Sequence, residues 1–288
     1  MLILAAMIWG AAFVAQAVGM EYVGPFTFQT SRCLLGALVL LPVIAAMDRS
    51  KPKDAPRGSR KTLLLAGATC GVIMFAAASL QQVGLQYTTA GKSGFITALY
   101  VVLVPVLGVF LGRRTRPAVW VGVVIAVAAL YLLCVKDGLT VGRGELLTLG
   151  CALGFSFHIL AVDYFSPKVD GVRMSCIQFF VCGAISAVVM ACTESPSWAA
   201  LARCWLPICY AGFLSCGAVY TLQILGQRDT TPTVASLLMS LESVFAVLFG
   251  WLLLGEKLSL RELLGCALMF GAIVLAQLPS RRERKLSQ

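Results

Sequence analysis

Residues 79–89 read SLQQVGLQYTT and residues 221–231 read TLQILGQRDTT. At an offset of 142, Leu80/Leu222, Gln81/Gln223, Gly84/Gly226, Thr88/Thr230 and Thr89/Thr231 are identical without a gap, and Ser79/Thr221 is similar. Working outward, Gly122 matches Gly265 at offset 143, and Gly10 and Phe13 match Gly154 and Phe157 at offset 144. The chain has 288 residues, so these offsets fall at or just below half its length. Self-similarity at one fixed period marks a duplicated structural unit. The chain divides into a first copy over 1–141, a second over 142–280, and a basic tail over 281–288.

Composition says what each copy is made of. Hydrophobic residues are 59% of the chain and charged residues 12%. A globular chain carries ~25% charged residues. So few charges cannot cover a soluble core of this size, and the composition also excludes disorder and a secreted disulfide scaffold. An all-α membrane protein is predicted. A helix crosses a ~30 Å hydrocarbon core with ~20 apolar residues. Ten such runs are present, at about 2–19, 26–47, 62–83, 89–111, 117–135, 145–164, 174–192, 204–225, 232–254 and 262–278. The first run ends near Ala15-Gln16-Ala17, which resembles a signal-peptide cleavage site. It lacks a basic leader and shares features with the second half, so it reads as a retained span.

The net charge of +10 sits between the apolar runs, so it reads as a topology signal and not as a nucleic-acid surface. With the N-terminus cytoplasmic, inner segments hold sixteen Lys and Arg and outer segments six. The inner set is the 48–61 loop, Arg113, Arg114, Arg116, Lys168, Arg173, Arg228 and the tail, and the outer set includes Lys92, Lys136 and Lys257. Both termini are therefore expected in the cytoplasm. Each copy has five spans, an odd number, so the second enters the membrane inverted relative to the first. Inverted repeats with a site at the repeat interface are characteristic of secondary transporters.

Several residues carry a family resemblance. They are Trp9-Gly10 with Phe13, Arg32, the run Gly84-Leu85-Gln86-Tyr87-Thr88-Thr89-Ala90, and Leu241-Glu242 followed by Gly255-Glu256. Together they resemble the drug/metabolite transporter superfamily, EamA type, across nearly the whole chain. The first copy departs from the pattern, with Gly112-Arg113-Arg114 where the family often has Gly-Glu. The resemblance implies a carrier of the bacterial inner membrane that works without ATP, often as an exporter of amino acids or other metabolites.

Soluble-site chemistry is thin. Ala90-Gly91-Lys92-Ser93-Gly94 contains Gly-Lys-Ser, but position 86 is Gln where a phosphate loop needs Gly, and no strand precedes it. Eleven Cys are scattered without a C-x-x-C pair, and His158 is the only His, so no metal site or cofactor is expected. Cys192 and Cys204 flank an outer loop, where a disulfide is a minor alternative.

Polar residues inside spans are then the functional candidates. Glu242 lies at mid-span. Arg32 lies ~9 Å into the second span at 1.5 Å per residue, and Glu242 ~15 Å into a ~30 Å core. At those heights the two are expected to interact. A structural ion pair between spans 2 and 9 and a substrate-binding or proton-coupling role for Glu242 both remain open. Gln81 and Gln223 are repeat mates that bind substrate or join helices. His158, Tyr100 and Tyr220, with Trp9, Phe13 and Phe157 as aromatic walls, complete a central cavity. It suits a small zwitterionic or amphipathic metabolite, amino acid-like or drug-like.

The reading is a ten-helix secondary transporter using alternating access, with export favoured. Its partners are a small-molecule substrate and the bilayer, with no nucleic acid, in a monomer or homodimer. A membrane enzyme or lipid-handling protein using Glu242 and His158 as acid and base is the alternative, and a passive channel the third. No catalytic constellation is visible, so an enzyme is not expected.

Overall fold

The computed structural model describes residues 1–50, 59–88, 90–112, 115–134, 142–254 and 259–277. Among them every regular element is helical. The basic loop at 51–58, Arg113, Arg114, Lys136, Gly255-Glu256, Lys257 and the tail lie outside the described residues, as do Thr89 and the side chain of Lys92.

The first copy contributes α1 (Leu2–Gly19), α2 (Pro25–Ser50), α3 (Arg60–Gly84), α4 (Ala90–Ala98), α5 (Tyr100–Phe110) and α6 (Pro117–Cys134). The second begins with α7 (Arg143–Phe165), α8 (Gly171–Thr193), α9 (Trp198–Arg203) and α10 (Trp205–Cys209). A π-helical segment (Tyr210–Tyr220) and α11 (Thr221–Gln227) follow, then α12 (Pro232–Met239), α13 (Leu241–Leu254) and α14 (Leu260–Gln277). Six helical stretches among the described residues are long and apolar enough to cross a membrane: α1, α2, α3, α7, α8 and Trp205–Gln227. Shorter apolar helices occupy Ile96–Phe110, Pro117–Leu132, Pro232–Phe245 and Leu263–Leu275. The chain is a multi-pass membrane protein.

Two of the expected runs are broken rather than continuous. Leu99 separates α4 from α5, and Ser240 separates α12 from α13. Near Leu99 the ladder tightens, with Leu99 N–H donating to Ile96 O at 3.2 Å and Val102 N–H to Leu99 O at 2.9 Å. Pro105, one turn and a half further on, lies inside α5 and has no N–H to give back to Val101. At the second break, Ser236 Oγ donates to Thr233 O at 2.9 Å and Ser240 Oγ to Leu237 O at 2.7 Å. Such hydroxyls compete for carbonyls of the preceding turn and bend helices.

The packing repeats itself. α2 packs on α8, and α6 on α14. α3 packs on α7 and α8, while its repeat counterpart, the π-helical segment, packs on α1 and α2. α1 packs on α13, while α7 packs on α4 and α5. Close approach at α3–α8 needs glycine: a Cβ on Gly67 would meet Ile177 at 2.5 Å, and one on Gly71 would meet the Gln178 carbonyl at 2.8 Å.

Polar contacts fix the direction of α2 against α8. Asp48, at the end of α2, pairs with Arg173, at the start of α8. At the opposite end, Glu194 follows α8 and caps the start of α2. Its carboxylate accepts from the N–H groups of Phe26 at 2.9 Å and Thr27 at 2.8 Å, and from the Thr27 hydroxyl at 2.6 Å. The two helices therefore run antiparallel. Cys192 and Cys204 are free thiols, so the disulfide between them is not formed.

Candidate functional site

The helices leave a cavity at their centre, lined by side chains from both copies. α1 supplies Trp9, Phe13 and Gln16, which lie on one face at i, i+4 and i+7. Arg32 enters from α2, Gln81 from α3, Thr97 from α4 and Tyr100 from α5. The second copy gives Phe155 and Ile159 from α7, Ser215 and Tyr220 from the π-helical segment, and Gln223 from α11. Met239 and Glu242 stand on either side of the α12–α13 break. The free space at the centre is about 50 Å³, enough for a few waters.

Two polar poles organise the walls. At one, Arg32 Nη1 donates to Gln16 Oε1 at 3.1 Å, and Gln82 Nε2 donates to the same oxygen. At the other, the Tyr100 hydroxyl donates to Glu242 Oε1 at 3.0 Å. Arg32 and Glu242 line one cavity but form no ion pair, which corrects the expected interaction. Depth along a helix axis sets height only, and the two side chains turn to separate partners, Gln16 and Tyr100. Gln81 Nε2 donates to Thr97 Oγ1 at 3.2 Å. Gln223 Nε2 donates to Gln227 Oε1 at 2.9 Å, leaving Gln223 Oε1 buried without a partner.

The aromatic wall is built around Tyr220, with Trp9 edge-on at 4.9 Å and Phe179 at 5.4 Å. His158 is the third ring against it, at 5.9 Å, and stands behind the wall. Its Nε2 pairs with Gln178 Oε1 at 3.1 Å, and it does not line the cavity. It is therefore not beside Glu242 as an acid–base partner. Phe157 is 46% exposed and faces away from the cavity, a second correction. The physical reason is helical rotation: two residues turn the side chain ~200° around the axis. The offset of 142 that aligns the two glutamine segments pairs Phe13 with Phe155, and Phe155 is the residue that lines the cavity.

A second, wider cavity of about 620 Å³ opens near the other end of α12. Its lining includes Arg116 before α6, Asp163 near the end of α7, and the turn Arg228-Asp229-Thr230-Thr231 between α11 and α12. The repeat-equivalent turn after α3 is tied to the start of α7. There the Arg143 guanidinium lies over the Tyr87 ring at 4.9 Å, and Thr88 Oγ1 donates to Glu145 Oε1 at 2.7 Å.

Comparison with known proteins finds the profile of the EamA-like transporter family twice along the chain, over residues 1–135 and 142–278. The chain belongs to the EamA-like transporter family. A relative from Archaeoglobus fulgidus, an uncharacterized transporter, is 30% identical over 96% of this chain and 84% of its own length. The uncharacterized transporter YoaV of Bacillus subtilis is 23% identical over 91% of this chain and 90% of its own. A WAT1-related chloroplastic protein of Arabidopsis thaliana is 26% identical over 96% of this chain and 68% of its own. A crystal structure covering 99% of this chain superposes with a TM-score of 0.79 at 20% identity, which shows a shared fold. The family's repeated unit and the apolar helices make this EamA-like protein a membrane transporter.

Proposed function

We propose that this chain is a secondary active transporter that moves a small organic metabolite, amino acid-like or drug-like, by alternating access across the bacterial inner membrane, in the direction of export. In this reading ten spans form two inverted five-helix repeats with both termini in the cytoplasm. The antiparallel run of α2 and α8, the second helix of each copy, supports the inversion. The broken helices also fit, because transporter sites are commonly built where spans are interrupted near the midplane.

The observation that carries the reading is the unequal state of two equivalent turns. Thr88 and Thr230 are repeat mates at offset 142. Thr88 is held by Glu145, while Thr230 lines the open 620 Å³ cavity. One sequence element, present twice, is tied down in the first copy and lines an open cavity in the second. Under the charge bias of the loops, the open end is the cytoplasmic one. Exchanging the two states between the copies exposes the same central cavity to the other side. α12 joins the two spaces, since its first residues line the open cavity and Met239 at its end lines the central one.

Glu242 is the coupling group in this account. A carboxylate among apolar spans either keeps a partner or takes up a proton, and a proton taken from one side and released to the other drives uphill export. Arg32 and Glu242 give the cavity one positive and one negative pole, and Trp9, Phe13 and Tyr220 give it an apolar wall, which together fit a zwitterion with an apolar body.

Purified protein in proteoliposomes tests this directly. Saturable counterflow of a panel metabolite, accelerated by a pH gradient, is expected. Single-channel conductance without counterflow would make it a pore, and turnover of a lipid without a gradient would make it an enzyme.

A further inference from the structure

Arg32 is 4% exposed and carries five N–H donors on a rigid planar fork. One of them, on Nη1, reaches an acceptor, the Gln16 carbonyl at 3.1 Å. That oxygen is already shared with Gln82. The Nε donor is buried and has no acceptor. No carboxylate among the described residues stands within ion-pair distance of the guanidinium. Its surroundings include the Phe28 ring, 5.9 Å from Cζ, the Tyr220 phenol, and the thiols of Cys33, Cys182 and Cys216, which accept hydrogen bonds weakly. A buried charge left in this condition is costly unless an opposite charge meets it. Arg32 also lines the central cavity, so the anion that meets it arrives from there.

We propose that Arg32 is the carboxylate-binding end of the central cavity, and that the solute is a small organic acid or amino acid whose free carboxylate pairs with the guanidinium. The proposal rests on the transporter reading above and adds the chemical group that is recognised. A guanidinium fork matches the two oxygens of a carboxylate with paired N–H donors. A doubly charged group such as a phosphate monoester is disfavoured by Glu242 in the same small space. Gln16 is the positioning residue: by holding Nη1 it fixes the guanidinium in the cavity wall. Arg32 and Gln16 sit on α2 and α1, so binding at this pole draws together two helices of the first copy.

The test compares matched ligands on the unaltered protein. Thermal unfolding in nanodiscs is followed with the twenty common amino acids, their amides, and the corresponding deaminated acids, with chloride and inorganic phosphate as separate arms. At least one carboxylate-bearing compound is expected to raise the midpoint, and its amide to bind about ten-fold or more weakly. In Arg32→Gln the acid is expected to fall to the affinity of its amide, and Arg32→Lys to recover part of the difference. Equal binding of acid and amide, with counterflow intact, overturns the carboxylate assignment and leaves the transporter reading standing. Saturation by chloride or phosphate alone overturns it as well. Absence of both stabilisation and counterflow across the whole panel overturns the transporter reading together with it. The acid–amide comparison needs no variant, so a poorly folding Arg32→Gln does not remove the test.

Discussion

The Tyr100 hydroxyl donates to Glu242 Oε1 at 3.0 Å, and the two residues stand 142 positions apart. That separation is the repeat offset itself, so Tyr100 and Glu242 are repeat mates that meet each other. In the inverted-repeat arrangement proposed above, a contact between two such mates falls on the axis between the copies and puts Glu242 there. Tyr100→Phe removes a buried hydrogen bond, a loss of about 0.5–1.5 kcal/mol. A lower thermal midpoint and slower counterflow are expected. Unchanged stability and rate would show that the contact does not join the two copies.

Glu242→Gln keeps the shape and hydrogen-bonding capacity of the side chain but binds no exchangeable proton. Transport by this variant is expected to lose its response to a pH gradient while solute exchange at equal pH persists. A variant with the natural rate and the natural pH response would remove Glu242 from coupling.

Gln16 accepts from Arg32 and from Gln82 with one oxygen. Gln16→Leu orphans two buried donors, each costing about 1–3 kcal/mol. The variant is expected to unfold at a clearly lower temperature, and double-mutant combination with Gln82→Leu to restore part of the loss. Strict additivity of the two changes would contradict a shared acceptor.

Much of this was legible in the sequence, for a physical reason in each case. The repeat was readable because helix ends and turns impose specific polar residues, so Gln81/Gln223 and Thr88/Thr230 stand out against interchangeable apolar spans. The cavity face of α1 was half legible: Trp9 and Phe13 were chosen, and Gln16 lies on the same face at i+7. Phe157 failed because the offset drifts from 142 to 144 in glycine-rich spans, and two residues of helix rotate the wall out of the cavity. His158 failed because burial alone does not say which side of an aromatic wall a residue occupies. The Arg32–Glu242 pairing failed because height is readable from sequence and azimuth is not. The Glu194 cap on α2 spans 167 or 168 positions of sequence, and no local pattern announces it.

At the α3–α8 contact, Gly67→Ala gains about 1 kcal/mol of helix propensity but places a Cβ 2.5 Å from Ile177. Overpacking of this kind costs about 1–3 kcal/mol, so net destabilisation is expected. Gly271→Ala in α14 meets nothing within 4 Å and is expected to be neutral or stabilising. Parallel thermal melts check the pair, and equal effects would contradict the packing described.

Glu194→Ala leaves the first N–H groups of α2 without their acceptors. Helix caps contribute about 0.5–2 kcal/mol, and a loss in that range is expected in the thermal midpoint. A midpoint no lower than that of the natural chain would sink the cap.

Access to the two equivalent turns decides between a carrier and every other reading. Thr88→Cys and Thr230→Cys, each in a Cys192→Ser background, are treated with a membrane-impermeant maleimide from either side. Thr230→Cys is expected to react from the cytoplasmic side while Thr88→Cys is protected. Adding Glu145→Ala, which removes the hold on Thr88, is expected to reverse both. Reaction of both positions at once, or no response to Glu145→Ala, would contradict alternating access.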